Sequence, residues 1–205
     1  LIVDEIQDFR KDRIETIKKN AKKSILFLGD QAQQLYNDAL PINQIQGLME
    51  SNVQQQNLNK NYRLPKKIAR AAQFLQSQDE ERIYEDRCVR EGEQKPRIYQ
   101  YDSYEDQIDY IAKEIKSKKL TDVGILFPDN DIIQDFIEKF KQYDIDFEFR
   151  YTDRKSRKEE NTLDFSSDNP KIMTYHSSKG CQFNDVFLPK CESGLLEEND
   201  DDFEW

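Results

Sequence analysis

Apolar positions come in short runs divided by charge. Leu-Ile-Val at residues 1–3 stops in Asp4-Glu5, and Ser24–Asp30 (SILFLGD) is a second run closed by a Gly-Asp turn. Between them, Asp12–Lys23 carries Ile14 and Ile17 among basic residues. The opening is therefore predicted as buried strand, mostly solvated helix, buried strand. A second helix is expected over Ile42–Glu50. A third starts near Pro65, where proline suits a first helical turn, and runs through Ala69, Ala71, Ala72, Phe74 and Leu75. Arg97–Asp102 reads as a strand. Tyr104–Lys118 spaces Ile108, Ile111, Ala112 and Ile115 as one face of a helix. Val123–Phe127 is a strand, Asp129 the N-cap of a helix to Tyr143, and Ile145–Phe149 a further strand. Arg150–Asn169, with RKSRK at 154–158, acids and serines, reads as a mobile loop. Lys171–His176 and Asp185–Pro189 are strands around a Ser-Ser-Lys-Gly turn. Such alternation predicts an α/β fold with a mainly parallel sheet covered by helices on both faces.

Composition narrows the class. At 205 residues, 36% hydrophobic and 35% charged, the chain has room for one medium domain or two small lobes of a cytoplasmic kind. No apolar run approaches the ~18–20 residues that span a bilayer, so no membrane partner is expected. Cys88, Cys181 and Cys191 are an odd number at unrelated spacings, fitting neither a disulfide framework nor a zinc site. The net charge of −10 is the wrong sign for gripping phosphate backbones by bulk charge. Much of that excess lies in the tail, at Glu197, Glu198, Asp200, Asp201, Asp202 and Glu204. Any nucleic-acid contact is thus expected along a local track, while the acidic segment 195–205, read as mobile, is a possible site for protein partners. An apolar strand with nothing before it also reads as a start inside a domain, as in a piece of a larger protein.

Four constellations carry candidate chemistry. Asp4-Glu5, followed by Gln7 and Asp8, lies past a buried strand, where a first carboxylate can hold a metal ion through water and a second can activate a water. Taken alone it reads more often as a solvated strand end. Gly29-Asp30-Gln31-Ala32-Gln33-Gln34-Leu35-Tyr36 puts amides at a second strand end, where a neutral amide can sense a terminal phosphate. Its alternative is a polar loop. Leu58-Asn59-Lys60-Asn61-Tyr62-Arg63 opens a stretch to Arg70 with five basic residues and no acid, suited to stacking on a base and gripping a phosphate. The plainer reading is a basic helix start whose tyrosine packs in a core. Thr174-Tyr-His176-Ser177-Ser178-Lys179-Gly180 is a hydroxyl-rich turn offering N–H groups and a cation. His176, the one histidine, has no nucleophile pattern around it and reads alone as a structural residue.

In this order the four segments resemble superfamily 1 helicases of the UvrD/Rep type. LIVDEIQDF is similar to their motif II, ILFLGDQAQQLY to motif III, LNKNYR to motif IV and IMTYHSSKGCQFNDVFLP to motif V. The resemblance implies a pair of RecA-like P-loop NTPase lobes. The first, incomplete, covers 1–57 and the second, nearly complete, 58–205, with ATP and Mg²⁺ driving movement on single-stranded DNA. It implies Asp4 as the Mg²⁺ carboxylate, Glu5 as general base also facing the metal, and Gln33 near the γ-phosphate. Tyr62 would stack on adenine, Arg63 reach the γ-phosphate, and Gln182 stand where the family has a glutamate near the ribose. Tyr36, Thr174, His176, Ser178 and Lys179 would face nucleic acid, and a modest basic track suffices for a single strand.

The departures are as specific. No Gly-x-x-x-x-Gly-Lys-Ser/Thr loop occurs, so this stretch by itself is expected not to hydrolyse ATP, and the family's motif VI is absent too. Asn37-Asp38-Ala39 stands where the family carries a glycine and a DNA-stacking aromatic followed by arginine. The interval between motifs IV and V holds one lobe without the large family insertion. Two rivals therefore stay open: a helicase-derived scaffold without ATPase activity, and the motor part of a helicase-nuclease.

Overall fold

The computed structural model describes residues 1–34, 36–49, 53–73, 84–92, 94–153 and 155–191. Phe74, Leu75 and the acidic segment 195–205, on which expectations were placed, lie outside them. Chain contacts divide the molecule into two compact units, Leu1–Asn59 and Lys60–Trp205.

The first unit begins with β1 (Ile2–Val3), α1 (Lys11–Asn20) and β2 (Leu26–Phe27), followed by α2 (Ile42–Leu48). The strands pair in parallel, Ile2 opposite Leu26 and Val3 opposite Phe27. Successive side chains of a strand point to opposite faces. Val3 and Phe27 accordingly pack on a core of Ile6, Ile14 and Ile45, completed by Phe9, Leu40 and Leu48. Ile2, Leu26 and Leu28 stay exposed on the other side, Leu26 to 52%, and Leu1 before the strand is exposed as well. This corrects the expectation of fully buried strands, because among the described residues of the unit helices cover one face and leave the other exposed.

The second unit opens with β3 (Asn61–Pro65), which runs directly into α3 (Lys66–Gln73) and pairs in parallel with β4 (Cys88–Arg90), the strand after the short α4 (Tyr84–Arg87). The strand over Asn61–Pro65 lies outside the strands expected from sequence, since its polar–apolar alternation spans only four residues before a proline and its ladder partner lies far along the chain. The strand expected at Arg97–Asp102 does not form. Ile98 is 100% exposed there, and Tyr99 and Tyr101 pack their rings on Tyr110, centroids 4.8 and 5.6 Å away, instead of joining a ladder.

α5 (Tyr104–Lys118), β5 (Val123–Phe127), α6 (Asn130–Phe140), β6 (Glu148–Thr152), β7 (Glu159–Asn161), β8 (Lys171–Thr174) and β9 (Asp185–Phe187) form the larger body. Its sheet has the order β7-β6-β8-β5-β9, parallel throughout except for the antiparallel edge strand β7. Both helices are capped by side chains, α6 by the expected Asp129. The Ser103 side chain accepts the Asp106 N–H, and Asp129 accepts those of Asp131 and Ile132. Against the expectation of cover on both faces, α5 and α6 pack together on the face that presents Val123, Ile125, Phe127 and Ile172. On the opposite face Gly124 lies under Phe183, and a Cβ at Gly124 would stand 2.6 Å from that ring.

The segment 150–169 is no simple loop either. β6 continues to Thr152 and folds back through β7, with Tyr151 opposite Glu160. The following stretch closes over a buried ion pair. Lys171, 1% exposed, sends its Nζ to the carbonyls of Ser167 and Asn169 at 2.8 and 2.9 Å and lies 3.6 Å from Glu148. Burial raises the Glu148 pKa, but hydrogen bonds from Ser167 and the Asp164 N–H, with the Lys171 ammonium, outweigh it and hold the carboxyl below its ordinary range. Among the described residues no helix is long and apolar enough to cross a membrane.

Candidate functional site

In the first unit, chain direction changes at the end of β1. Glu5 takes a left-handed conformation, φ 55°, with its N–H donated to Asp4 Oδ1 at 2.9 Å. Ile6 N–H reaches the Leu28 carbonyl at 3.0 Å, which sets the turn after β1 beside the turn after β2. Gln7, in the 3-10 turn Ile6–Asp8, is fully buried at 0% exposure. Its Nε2 donates to Glu5 Oε2 at 2.5 Å, and its Oε1 accepts the Asp30 N–H at 3.1 Å. Asp30 Oδ2 in turn accepts Gln33 Nε2 at 3.0 Å. A line of hydrogen bonds thus joins Glu5, Gln7, Asp30 and Gln33. Gly29 makes this possible, because a Cβ there would fall 2.6 Å from Ile6 Cγ2 and 2.7 Å from Gln7 Oε1.

Asp4 and Glu5 present two hard oxygen donors side by side. That donor set fits Mg²⁺, which takes one or two carboxylates and keeps water or phosphate in its other positions. Among the described residues no group of three or more His, Cys, Asp or Glu side chains could hold a metal ion by itself. Tyr36 is partly exposed, and its carbonyl accepts Gln34 Nε2 at 2.8 Å. Of the three residues after it, Ala39 is buried, while Asn37 and Asp38 are exposed, Asp38 lying 3.8 Å from Arg10.

In the second unit Tyr62, 69% exposed, and Arg63 point outward from β3, so the tyrosine is not a core residue. The basic stretch is less basic than its sequence. Lys66 pairs with Glu91 and Arg70 with Glu85, acids 25 and 15 residues away. Hydrogen bonding to these partners raises both cations' pKa values and lowers that of Glu85.

At the carboxyl ends of β5, β6 and β8 the sheet opens into a cleft of about 360 Å³, the location where open α/β sheets bind ligands. Pro128, Asp129 and Asn130 line it from the start of α6, Arg150 to Thr152 from β6, and Thr174, His176 and Ser177 from the turn after β8. Thr174 is buried, and its hydroxyl accepts the Ser177 N–H at 3.0 Å. Ser178 Oγ donates to the Tyr175 carbonyl at 2.8 Å. These two hydroxyls hold the turn, and buried Thr174 and exposed His176 are the predicted residues that line the cleft. Ser178, Lys179, Gln182, Tyr62 and Arg63 are not among its lining residues.

Three residues not singled out as site residues matter. Gln7 links the first two constellations. Arg150 brings a cation to the cleft, its Nε 2.8 Å from Glu159, and Asn130 Oδ1 accepts the Thr152 N–H at 3.0 Å. The aromatic alternation Phe147, Phe149, Tyr151 runs past the predicted strand end, and it was the signal that places Arg150 on β6.

Comparison with known proteins agrees with the sequence resemblance. No curated protein matches the chain. Residues 56–160, just over half of the chain, match the UvrD-like helicase C-terminal domain. That stretch runs from the Leu58–Arg63 segment through α5, β5 and α6 to the β6–β7 hairpin, and on this match the chain belongs to the UvrD-like helicase family, as a bearer of its C-terminal domain.

Proposed function

We propose that the full-length protein is an ATP-dependent translocase or helicase on single-stranded DNA, with the two units as parts of RecA-like lobes. The observation that carries this reading is the hydrogen-bonded line Glu5–Gln7–Asp30–Gln33 at the ends of two parallel strands. A carboxylate held by a neutral amide next to a second carboxylate suits in-line attack of water on a γ-phosphate. Glu5 takes the proton of the attacking water, and Asp4 is the residue to hold Mg²⁺. Bound there with ATP, that ion supplies charge neutralisation on the phosphates. Gln33 contacts the terminal phosphate. Tyr62 stacks on adenine, Arg63 offsets charge developing on the γ-phosphate, and Gln182 faces the ribose. His176 and Lys179 contact the DNA backbone, and Thr174 and Ser178 keep their turn in shape for that contact.

One observation favours the scaffold rival over part of this surface. With Ala39 buried and Asp38 facing Arg10, residues 37–39 offer no aromatic for stacking after Tyr36. The deciding experiment is Glu5→Gln in the full-length protein, with DNA-stimulated ATP hydrolysis as the readout. Loss of a general base is expected to lower kcat by about 10²–10⁴-fold. Turnover equal to the parent's would overturn Glu5 as the base, and a parent protein with no DNA-stimulated hydrolysis would overturn the motor reading in favour of a scaffold.

A further inference from the structure

We infer that Gln7 is a positioning residue for the acidic site, one end of its amide holding the Glu5 carboxylate and the other the backbone of Asp30. The inference rests on the reading of Glu5 as the general base. Glutamine is rarely buried completely, and an amide removed from water without partners is costly. Gln7 is 0% exposed, and both ends of its amide are used, Nε2 toward Glu5 at 2.5 Å and Oε1 toward the Asp30 N–H at 3.1 Å. The glycine before Asp30 keeps the seat open, since any Cβ at Gly29 would stand 2.7 Å from Gln7 Oε1.

The chemistry of the donor matters as much as its place. Glu5 is an exposed carboxylate on a short turn, and such a side chain samples several rotamers unless something fixes it. A lysine or arginine in place of Gln7 would fix it by ion pairing and make it a poorer base. A neutral amide orients the same oxygen without cancelling its charge. Because Asp30 Oδ2 accepts Gln33 Nε2 at 3.0 Å, a displacement at Gln33 is passed to Glu5 through Asp30 and the Gln7 side chain. Gln7 therefore ties the orientation of the base to the loop that carries Gln33.

The test uses the full-length protein and two variants. Gln7→Glu keeps the side-chain length and an oxygen for the Asp30 N–H but removes the N–H offered to Glu5. Gln7→Met removes both. Both are expected to lower kcat for ATP hydrolysis by about tenfold to a hundredfold, as misplacement of a reacting group does, with the Kd for a fluorescent ATP analogue within about threefold. Hydrogen exchange at the Asp30 amide separates the two ends: about tenfold faster in Gln7→Met and unchanged in Gln7→Glu. A purely structural role would lower the melting temperature and leave the kcat of folded protein alone. If Gln7→Met does not fold, the isosteric Gln7→Glu decides. Turnover within about twofold of the parent in Gln7→Glu, while Glu5→Gln abolishes it, overturns the role of Gln7 and leaves the base assignment standing. Full turnover in Glu5→Gln overturns both.

Discussion

The two units meet the same problem, an apolar strand with two faces, and solve it to different depths. In the first, Val3 and Phe27 find Ile6, Ile14 and Ile45, while Ile2 and Leu26 on the reverse side face solvent. In the second, all five residues of β5 are buried, with α5 and α6 over Val123, Ile125 and Phe127 and the Phe183 ring against Gly124. An apolar run makes burial favourable by roughly 25 cal/mol for each Å² removed from water, but something must be there to remove it. The number of covered faces is set by neighbouring elements rather than by the strand.

The sharpest way to break this comparison is to open the deeper core. Phe136 is fully buried and its ring centroid lies 5.0 Å from that of Phe127 and 4.9 Å from that of Phe140. Phe136→Ala is expected to cost about 3–5 kcal/mol in denaturant unfolding, the usual range for a large core aromatic. A loss under ~1 kcal/mol would mean that this core is far looser than its burial implies.

Next comes the ion pair on the opposite face of the same sheet. Lys171→Met leaves Glu148 with its hydrogen bonds from Asp164, Ser167 and Asn169. The expected cost is therefore about 2–3 kcal/mol, below the ~3–5 kcal/mol of an abandoned buried charge. The pH dependence has a definite sign. The folded-state pKa of Glu148 is depressed, so its contribution is present above the unfolded carboxyl value of about 4.3 and is lost as pH falls through the lower folded value. Glu148→Gln should flatten the acid side of a stability-against-pH curve, and an unchanged slope below about pH 4 would contradict the assignment.

The smallest effect is expected in the shallow sheet. Leu26→Ser, at a position 52% exposed, should change stability by no more than about 0.5 kcal/mol. A loss comparable to that of Phe136→Ala would show that the outer face of β1 and β2 is covered in solution.

Polar chemistry was legible where it is local. Asp129 caps its helix as its position suggests, and Asp4-Glu5 and Gly29-Asp30 do end adjacent strands. The basic stretch misled because Glu85 and Glu91, which answer Arg70 and Lys66, come from elements the local run does not contain. Arg97–Asp102 misled for a related reason. Its alternation is genuine, but the tyrosines spend it on Tyr110, and the backbone finds no ladder. The residues of 150–161 were read through their charge, which hid the aromatic period that continues β6.

Periodicity, capping residues and strand-end carboxylates, all properties of neighbours within a few positions, determined by themselves that this chain makes helices and parallel strands with polar turns at their ends. Which faces are covered, which cations are answered, and that a buried glutamine joins Glu5 to Asp30 were decided only in three dimensions. Those contacts link residues 15 to 25 positions apart, a separation at which local pattern carries no information about who meets whom.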